Sequence, residues 1–279
     1  MWITRDRLDR VILYNYSMVF SVLTYNVLYN KAFIELKGII ENFHPDIICL
    51  QEVDTSEPNL KKIEQFGYQL ADYTNSFIKF GTIFGVTTFY NEKKTQFTGS
   101  SIVQLPRNIY EMILFIVRIL RGGHAPRTVL KTEFVLKGTK QKIIIYNTHL
   151  AAGETNEARV KQLRKILNFT DAHKNLPLII TGDLNYVPYR RKRLEKLMLE
   201  HGLKEATKSI NYTMQMTRDG KFEKFNLIQK ILNIFAHIFI NGRLKMDYVF
   251  YKNLRLKEIK RIELRFSDHF PIISTFITR

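Results

Sequence analysis

Two pairs of polar side chains, each spaced two residues apart, are candidates for chemistry. Asn147 and His149 follow the apolar run "IIIY", and Asp183 and Asn185 follow "LIIT". Residues two apart in an extended chain project from the same face, so each pair presents its groups together. Gly182, just before Asp183, permits close approach of a neighbouring chain. A carboxylate, two amides and an imidazole on one surface can orient a water molecule and stabilise a negatively charged oxygen.

Other apolar runs also end in polar residues. Asn26 closes "SVLTYN", Glu52 closes "DIICLQE", Asp247 lies in "KMDYVF", and Asp268 and His269 precede "PIISTFI". At any one strand end, a polar residue can simply meet solvent. Six strands with the same arrangement favour a common site, because strand ends converge at one edge of an α/β sheet.

The combined set is rich in oxygen ligands, with two histidines and no cysteine. Such donors suit a hard cation, Mg²⁺ or Mn²⁺, rather than structural zinc. Neutral amides beside the carboxylates can stabilise charge that develops on an oxyanion. The inventory indicates metal-assisted attack of water on a phosphate ester.

The elements that must position these residues alternate between strands and helices. Helical spacing of apolar residues predicts helices in "KAFIELKGIIENFH", "ETNEARVKQLRKILNF" and "RRKRLEKLMLEHG". The region from Gly67 to Gly138 is typical of meandering strands. We find no linker or short repeat, so the sequence predicts a single α/β domain over residues 1–279. The predicted strands are 19–25, 46–50, 143–147, 177–184, 246–251 and 271–277.

The composition is that of a folded, strongly basic protein. Hydrophobic residues make up 45% of the chain, and 43 Lys and Arg stand against 26 acidic residues, a net charge of +17. This excess favours polyanionic partners: nucleic acid, an anionic membrane surface or phosphorylated small molecules. Arg190, Arg191 and Arg193 follow "GDLNYVP", and Arg127 closes "RGGHAPR". We interpret all four as candidate substrate contacts, although a solvated basic face and a plain connecting turn are the alternatives.

Two nearly uncharged segments, 109–120 and 225–240, interrupt the pattern. Each can pack on the core, and each can instead contact a membrane or grip a substrate. We assign residues 225–243 to an apolar insertion and residues 1–18 to an N-terminal extension. No segment has the features of a signal peptide or the ~18 apolar residues of a membrane span. The sequence therefore predicts a cytoplasmic protein in which peripheral membrane association stays open.

Six motifs in order carry a family resemblance: "LTYNV", "PDIICLQEV", "NTHLA", "TGDLN", "MDYVF" and "SDHFP". They run through nearly the whole chain from residue 20, and together they resemble the endonuclease/exonuclease/phosphatase superfamily. The resemblance implies the four-layer, deoxyribonuclease-I-like fold, in which two mixed β-sheets pack as a sandwich and are flanked by helices.

The resemblance also implies roles for single residues. Glu52 resembles the main metal-ligating carboxylate, assisted by Asn26, and Asp268 resembles a further ligand on the metal side. Asp183 resembles the carboxylate that orients or deprotonates the attacking water. Asn185 resembles the amide that donates to the phosphoryl oxygen.

The two histidines complete the implied site. His269 resembles the histidine that acts on the phosphate, held by Asp247 in an acid–imidazole pair that raises its pKa. His149 resembles the second histidine of the nuclease, sphingomyelinase and inositol-phosphatase branches. The apurinic endonucleases have a different pattern at that position.

Three functional hypotheses follow. The first is a Mg²⁺-dependent nuclease, favoured by the net charge and the arginines after "GDLN". The second is a lipid-directed phosphodiesterase or phosphatase, favoured by His149 and the apolar segments. The third is a non-catalytic nucleic-acid-binding protein on the same fold. The sequence points to no protein partner.

Overall fold

The computed structural model describes residues 17–79, 81–106, 128–151, 155–216, 234, 237–238, 241–263 and 266–278. Segment 109–120, Arg127, all but residues 17 and 18 of the N-terminal extension, and most of the insertion 225–243 lie outside the described residues. The predictions made for them stay predictions. No helix in the part of the chain that the structure describes combines the length and apolarity needed to cross a bilayer.

Two mixed six-stranded sheets form the centre of the described part of the molecule. In the first, the strand order is β13-β14-β1-β2-β4-β3, and in the second it is β5-β6-β7-β8-β12-β9. The strands are β1 (Val19–Asn26), β2 (Ile47–Asp54), β3 (Gln69–Lys79), β4 (Thr82–Tyr90), β5 (Thr95–Gln104), β6 (Thr128–Leu136), β7 (Gln141–His149), β8 (Leu178–Asp183), β9 (Lys204–Glu205), β10 (Met214–Gln215), β11 (Arg243–Leu244), β12 (Asp247–Lys252), β13 (Leu254–Arg261) and β14 (Ile272–Thr278).

Helices cover the outer faces of both sheets. Helices α1 (Phe33–Phe43) and α2 (Glu57–Glu64) pack on the first sheet, and α3 (Asn156–Asp171) and α4 (Arg191–Glu200) pack on the second. A third apolar cluster fills the space between the sheets, and it includes Phe20 and Ile145. The order helix, sheet, sheet, helix confirms the predicted four-layer sandwich.

Side-chain alternation explains how the chain fills these layers. On β1, Phe20 and Val22 face the second sheet, while Leu23 and Tyr25 face α1. Since successive strand residues point to opposite faces, Asn26 shares the inward face of Phe20 and Val22. The central strands are buried on both faces, which is why they read as continuous apolar runs.

The predicted helices all form, with Pro45 just beyond α1 and Gly202 beyond α4. Helix α2 was not predicted; it has Ser56 at its N-cap and Pro58 in its first turn. These residues favour a helix start, but at eight residues the helix is too short to show a strong apolar period.

Candidate functional site

The polar residues predicted to do chemistry lie at one edge of the layer between the two sheets. On β7 and β8, Ile145 and Ile179 face this layer, so His149 and Asp183 share their inward direction. On β12, Val249 faces inward and Asp247 follows the same alternation. Strand pairing then sets these ends side by side: His149 is opposite Asp183 on parallel strands, and Asp247 is opposite Asp183 on antiparallel strands.

Close packing of β7 against β8 depends on Gly182. Its φ is 128°, and a Cβ atom there would lie 2.0 Å from the backbone oxygen of Thr148. A glycine is therefore required at this position, as its place before Asp183 suggested.

Glu52 reaches the same edge through a β-bulge. Ile48 and Leu50 point outward to α1, and regular alternation would send Glu52 the same way. The pairing with β4 shifts between Gln51 and Val53, and Glu52 has φ 57°. A left-handed glutamate costs about 1–2 kcal/mol, a strain that clusters at functional sites. The bulge directs Glu52 inward, so that its Oε1 lies 3.7 Å from His149 Nε2.

Asp183 lies at the centre of the cluster. Its Oδ2 accepts a hydrogen bond from Asn26 Nδ2 at 3.1 Å, and its Oδ1 accepts one from the backbone N–H of Asn185 at 2.8 Å. The Nε2 atoms of His149 and His269 lie 3.6 and 3.7 Å from Asp183 Oδ2. Burial raises the pKa of Asp183 to about 6, although His269 opposes the rise.

Asn185 completes this end of β8 with an unusual backbone. It has φ 48°, and its Nδ2 donates to the backbone oxygen of Leu150 at 3.1 Å. The amide therefore bridges the ends of β7 and β8 while staying partly exposed. The prediction that Asp183 and Asn185 project from the same face of an extended chain is wrong, because strand β8 ends at Asp183.

His269 forms the predicted pair with Asp247. Its Nδ1 lies 2.8 Å from Asp247 Oδ2, and both side chains are buried. Burial lowers the pKa of His269, but Asp247, Asp183 and Asp268 together raise it well above its ordinary value. These carboxylates therefore favour the protonated imidazole, whose Nε2 faces Asp183.

Two hydroxyl groups that the sequence analysis missed hold this pair in place. Thr213 Oγ1 accepts from the backbone N–H groups of Met246 and Asp247 at 3.0 and 2.9 Å. Ser267 Oγ donates to the backbone oxygen of Asn26 at 2.9 Å and accepts from the N–H of His269 at 3.0 Å. Ser267 is the first residue of the motif "SDHFP" and could have been predicted from it, whereas no motif surrounds Thr213.

The other strand-end amides act between the sheets. Gln51 Nε2 donates to Asn147 Oδ1 at 2.8 Å, and Asn147 Nδ2 donates to the backbone oxygens of Leu50 and Thr87 at 3.2 and 2.8 Å. Both amides are buried, and their bonds join the two sheets. The spacing of Asn147 and His149 suggested that both belong to the site. Asn147 instead lies behind it, where its hydrogen bonds join the two sheets.

Carboxyl groups crowd together on the Glu52 side. Burial and, to a smaller extent, Asp268 raise the pKa of Glu52 to about 8, although His269 opposes the rise. Glu52 Oε2 is buried without a hydrogen-bond partner among the described residues. A buried, unpartnered carboxylate oxygen near a second carboxylate fits a hard divalent cation.

A second set of donors also lies close enough together to hold an ion. One ligand atom each of Asp183, Asp247 and His269 lies within 4.8 Å of the others. In this set, however, Asp247 Oδ2 is engaged by His269, and both oxygens of Asp183 accept hydrogen bonds. The unpartnered oxygen of Glu52 makes its side of the cluster the better fit for a cation.

The three predicted arginines after "GDLN" contact acidic side chains. Arg190 and Arg193 both contact Glu157 Oε1 at 3.1 Å and are about half exposed. Arg191 lies 3.0 Å from both carboxylate oxygens of Glu205. Arg190 and Arg193 can exchange their partner for a phosphate, whereas the bidentate pair holds Arg191 in the fold.

Comparisons with known proteins agree with this architecture. The family model described as "Endonuclease/Exonuclease/phosphatase family" matches residues 23–269, and the chain belongs to this family. It is a phosphoester hydrolase of that family. A comparison with curated protein sequences finds no match.

Solved structures share the fold at low sequence identity. The catalytic domain of human Nocturnin with bound sulfate superposes with a TM-score of 0.66 at 19% identity, covering 92% of this chain and 93% of that one. A mannosyl-6-phosphatase of Bacteroides thetaiotaomicron gives 0.63 at 17%, covering 92% and 99%. ANGEL2, a 2′,3′-cyclic phosphatase, gives 0.61 at 17%, covering 94% and 95%.

Proposed function

We propose that the protein is a Mg²⁺-dependent phosphodiesterase that cleaves nucleic acid. The observation that carries the chemistry is the buried cluster of Glu52, His149, Asp183, Asp247 and His269. It brings a carboxylate with an unpartnered oxygen within 4 Å of a histidine, which in turn contacts a second carboxylate. The net charge of +17 supports a polyanionic substrate.

Each residue has a defined task in this proposal. Glu52, with Asp268 and Asn26 beside it, would hold Mg²⁺, which supplies charge neutralisation at the phosphate. Asp183 orients the attacking water and accepts its proton. Asn185 and the two histidines donate to the phosphoryl oxygens, where negative charge develops. Mn²⁺ satisfies the same oxygen donors.

The substrate assignment also draws on the relatives. One ANGEL2 structure contains adenosine-2′,3′-vanadate, so a protein of this fold accommodates a nucleoside bearing a phosphate-like group. Such a ligand supports a nucleotide at the edge of this sandwich.

A lipid phosphodiesterase is the second candidate, and exposed apolar residues favour it. Within the insertion, Ile234 and Ile238 are 60% and 67% exposed. Two large apolar side chains in water suit a membrane surface. Salt separates the candidates: binding to anionic vesicles that survives high salt needs apolar insertion, whereas nucleic-acid binding weakens steeply with salt.

The deciding experiment is cleavage of end-labelled single- and double-stranded DNA and RNA, with Mg²⁺ or chelator. Asp183→Asn removes the proposed base at constant size, and Asp171→Asn is the surface control. Cleavage that is lost with chelator and in Asp183→Asn, but kept in Asp171→Asn, supports the proposal. If nucleic acid stays intact and phospholipid is hydrolysed, the lipid phosphodiesterase replaces the nuclease as the proposed function. Metal-independent binding without turnover on any ester would make the protein a non-catalytic binding protein.

A further inference from the structure

An aromatic cluster lies against the site, and none of the proposed chemistry uses it. It consists of Tyr29, Phe77 and Phe84. Phe77 and Phe84 are stacked, with ring centroids 5.6 Å apart and planes at 24°. The ring of Tyr29 lies edge-on to both, with centroids 5.8 Å from Phe77 and 5.3 Å from Phe84.

The cluster contacts the site directly. The ring of Phe77 lies 6.1 Å from that of His149, at 73°. The Nε2 atom of His149 lies 3.6 Å from Asp183. Phe84 is buried at 5% exposure, while Tyr29 and Phe77 are only partly covered. Phe77 therefore borders the place where the phosphate is proposed to bind, and Tyr29, the second incompletely buried ring, packs against Phe77.

The backbone that carries Tyr29 is strained. Leu28, Tyr29 and Asn30 have φ values of 46°, 54° and 63°, a left-handed run without glycine. Its two anchors come from the ends of the site strands: Asn26 Oδ1 accepts from the N–H of Leu28, and Asn30 Oδ1 accepts from that of Asp54, both at 3.0 Å. Strain tied to the strands that carry Asn26 and Glu52 indicates a functional placement of Tyr29.

Core packing alone accounts poorly for this arrangement. A core aromatic is covered on all sides by apolar neighbours, as Phe84 nearly is. Phe77 instead contacts His149 of the polar cluster, and Tyr29 packs on the partly exposed ring of Phe77, so neither ring is enclosed by apolar neighbours.

We propose that Tyr29 and Phe77 form a stacking surface for the nucleobase next to the scissile phosphate, an inference that rests on the proposed function. Stacked and edge-on rings accept a flat aromatic group, and base stacking on such rings tolerates any sequence. This surface would give the enzyme a preference for nucleotides over sugar phosphates that carry the same charge.

Binding of small ligands tests the surface without relying on cleavage. Calorimetry with Mg²⁺ compares AMP with ribose 5-phosphate, which lacks the base. We expect AMP to bind at least ~10-fold more tightly. Phe77→Leu and Tyr29→Leu should each remove most of this preference and leave the affinity for ribose 5-phosphate unchanged. Phe77→Tyr, which keeps a ring, should retain it.

Tyr73→Leu is the matched control, since Tyr73 is an exposed aromatic residue on β3, the same strand as Phe77. Thermal unfolding of each variant identifies loss of folding, and Tyr29→Leu keeps the test valid if Phe77→Leu does not fold. Equal affinity for AMP and ribose 5-phosphate would overturn the stacking surface.

Oligonucleotides containing one abasic residue separate this inference from the proposed function. Slow cleavage at the abasic position by wild type, with no further loss there in Phe77→Leu, supports the surface. Equal cleavage at normal and abasic positions overturns the surface and leaves the nuclease intact. If the protein prefers AMP but cuts no oligonucleotide, the stacking surface is supported and the nuclease proposal is refuted. Tighter binding of a lysophospholipid than of AMP would overturn the surface.

Discussion

His269 Nδ1 lies 2.8 Å from Asp247 Oδ2, and both residues are buried at the same edge of the sandwich. The carboxylate accepts a hydrogen bond from the Nδ1–H group and stabilises the imidazolium. Asp247 belongs to β12, while His269 lies in the turn before β14 in the other sheet. The pair therefore joins the two sheets at the site.

The first prediction concerns pH and Asp247. The pKa of His269 is raised well above its ordinary value, so activity that needs the imidazolium is present at neutral pH and is lost as pH rises through the raised pKa. Asp247→Asn removes one cause of the rise and moves this loss to lower pH. We expect kcat/KM to fall by roughly 10²–10⁴-fold, measured as a pH–rate profile.

The surface pair of His201 and Asp171 provides the control. His201 Nδ1 lies 3.2 Å from Asp171 Oδ1, outside the site. Asp171→Asn should leave the profile unchanged. An Asp247→Asn profile that falls in height without moving along the pH axis would contradict the electrostatic role.

The second prediction concerns Glu52 and the cation. Since its pKa is raised to about 8, the metal-free protein loses stability as pH rises from the unfolded pKa of about 4.3 through 8. Glu52→Gln should remove this loss and stabilise the chelator-treated protein by about 4 kcal/mol at pH 7, since one pKa unit corresponds to about 1.4 kcal/mol. Urea unfolding of the wild type and Glu52→Gln at pH 4 and pH 7 measures the pH-dependent loss of stability and the difference between the two proteins.

With Mg²⁺ present, the wild type should be more stable than Glu52→Gln. Mg²⁺ should raise the melting temperature of the wild type and leave that of Glu52→Gln unchanged. Glu41→Gln, on the exposed face of α1, should respond to Mg²⁺ like the wild type. If Mg²⁺ stabilises the wild type and Glu52→Gln equally, Glu52 does not bind the ion.

The third prediction concerns Gly182. An alanine Cβ there would lie 2.0 Å from the backbone oxygen of Thr148 at a φ that side chains avoid. Gly182→Ala should destabilise the protein by about 4 kcal/mol or more. Gly38→Ala, in open space on α1, should stabilise it by about 0.5–1 kcal/mol. Denaturant unfolding of both variants gives the comparison, and a mild effect at Gly182 would refute the close approach.

The fourth prediction concerns a buried ion pair outside the site. Lys245 Nζ lies 2.7 Å from Glu205 Oε1, and both side chains are less than a tenth exposed. Glu205→Gln leaves Lys245 without its counter-charge and should cost about 3–5 kcal/mol. Glu195→Gln removes a partly exposed partner of Arg191 and should cost under about 1 kcal/mol.

The pH dependence of the same pair has a definite sign. Burial raises the pKa of Glu205, but Lys245 and Arg191 hold it below its usual range. Its contribution to stability is present above the unfolded pKa and is lost as pH falls through the folded value. The stability difference between wild type and Glu205→Gln should therefore shrink in acid. A constant difference from pH 7 to pH 3 would contradict this explanation.

The fifth prediction tests Arg190 and Arg193 as phosphate contacts. If both exchange Glu157 for phosphates, replacing them with glutamine should weaken DNA binding and reduce the slope of log K against log salt by about 2. Lys37→Gln, on α1, removes one charge that also pairs with a glutamate and should leave the slope unchanged. An unaltered slope in the double variant would leave these arginines a structural role with Glu157.

The strand ends could be predicted because apolar runs and polar ends are local signals. The run before Asp183 and residues 248–250 after Asp247 are fully buried, and alternate residues such as Ile179 and Val249 face the layer between the sheets. Glu52 illustrates what such patterns miss: regular alternation points it toward α1, and only a bulge against β4 turns it into the site. The pairing between β2 and β4 is a long-range property that no short stretch encodes.

The aromatic cluster and the hydroxyl of Thr213 were missed for a similar reason. Tyr29 and Phe77 are separated in the sequence by α1, β2 and α2, and they meet because the sheet places β1, β2, β4 and β3 side by side in that order. An isolated tyrosine or phenylalanine in a chain with 13% aromatic residues gives no local signal. The arginines show a related limit: a basic run adjacent to a motif suggests phosphate contact, but the sequence does not indicate that Arg191 contacts Glu205 in the fold.

The pairing of β1 with β14 gives the fold a cyclic order. The N–H of Met18 donates to Thr278 Oγ1 at 2.9 Å, and the N–H of Thr278 donates to the oxygen of Met18 at 3.0 Å. The polypeptide between these residues is thus a ring closed by hydrogen bonds. A circular permutant with a linker from 278 to 18, opened in the Asn91–Lys94 turn, keeps each described strand beside its neighbours. Opening the ring at this turn is therefore expected to leave the geometry of the candidate site intact.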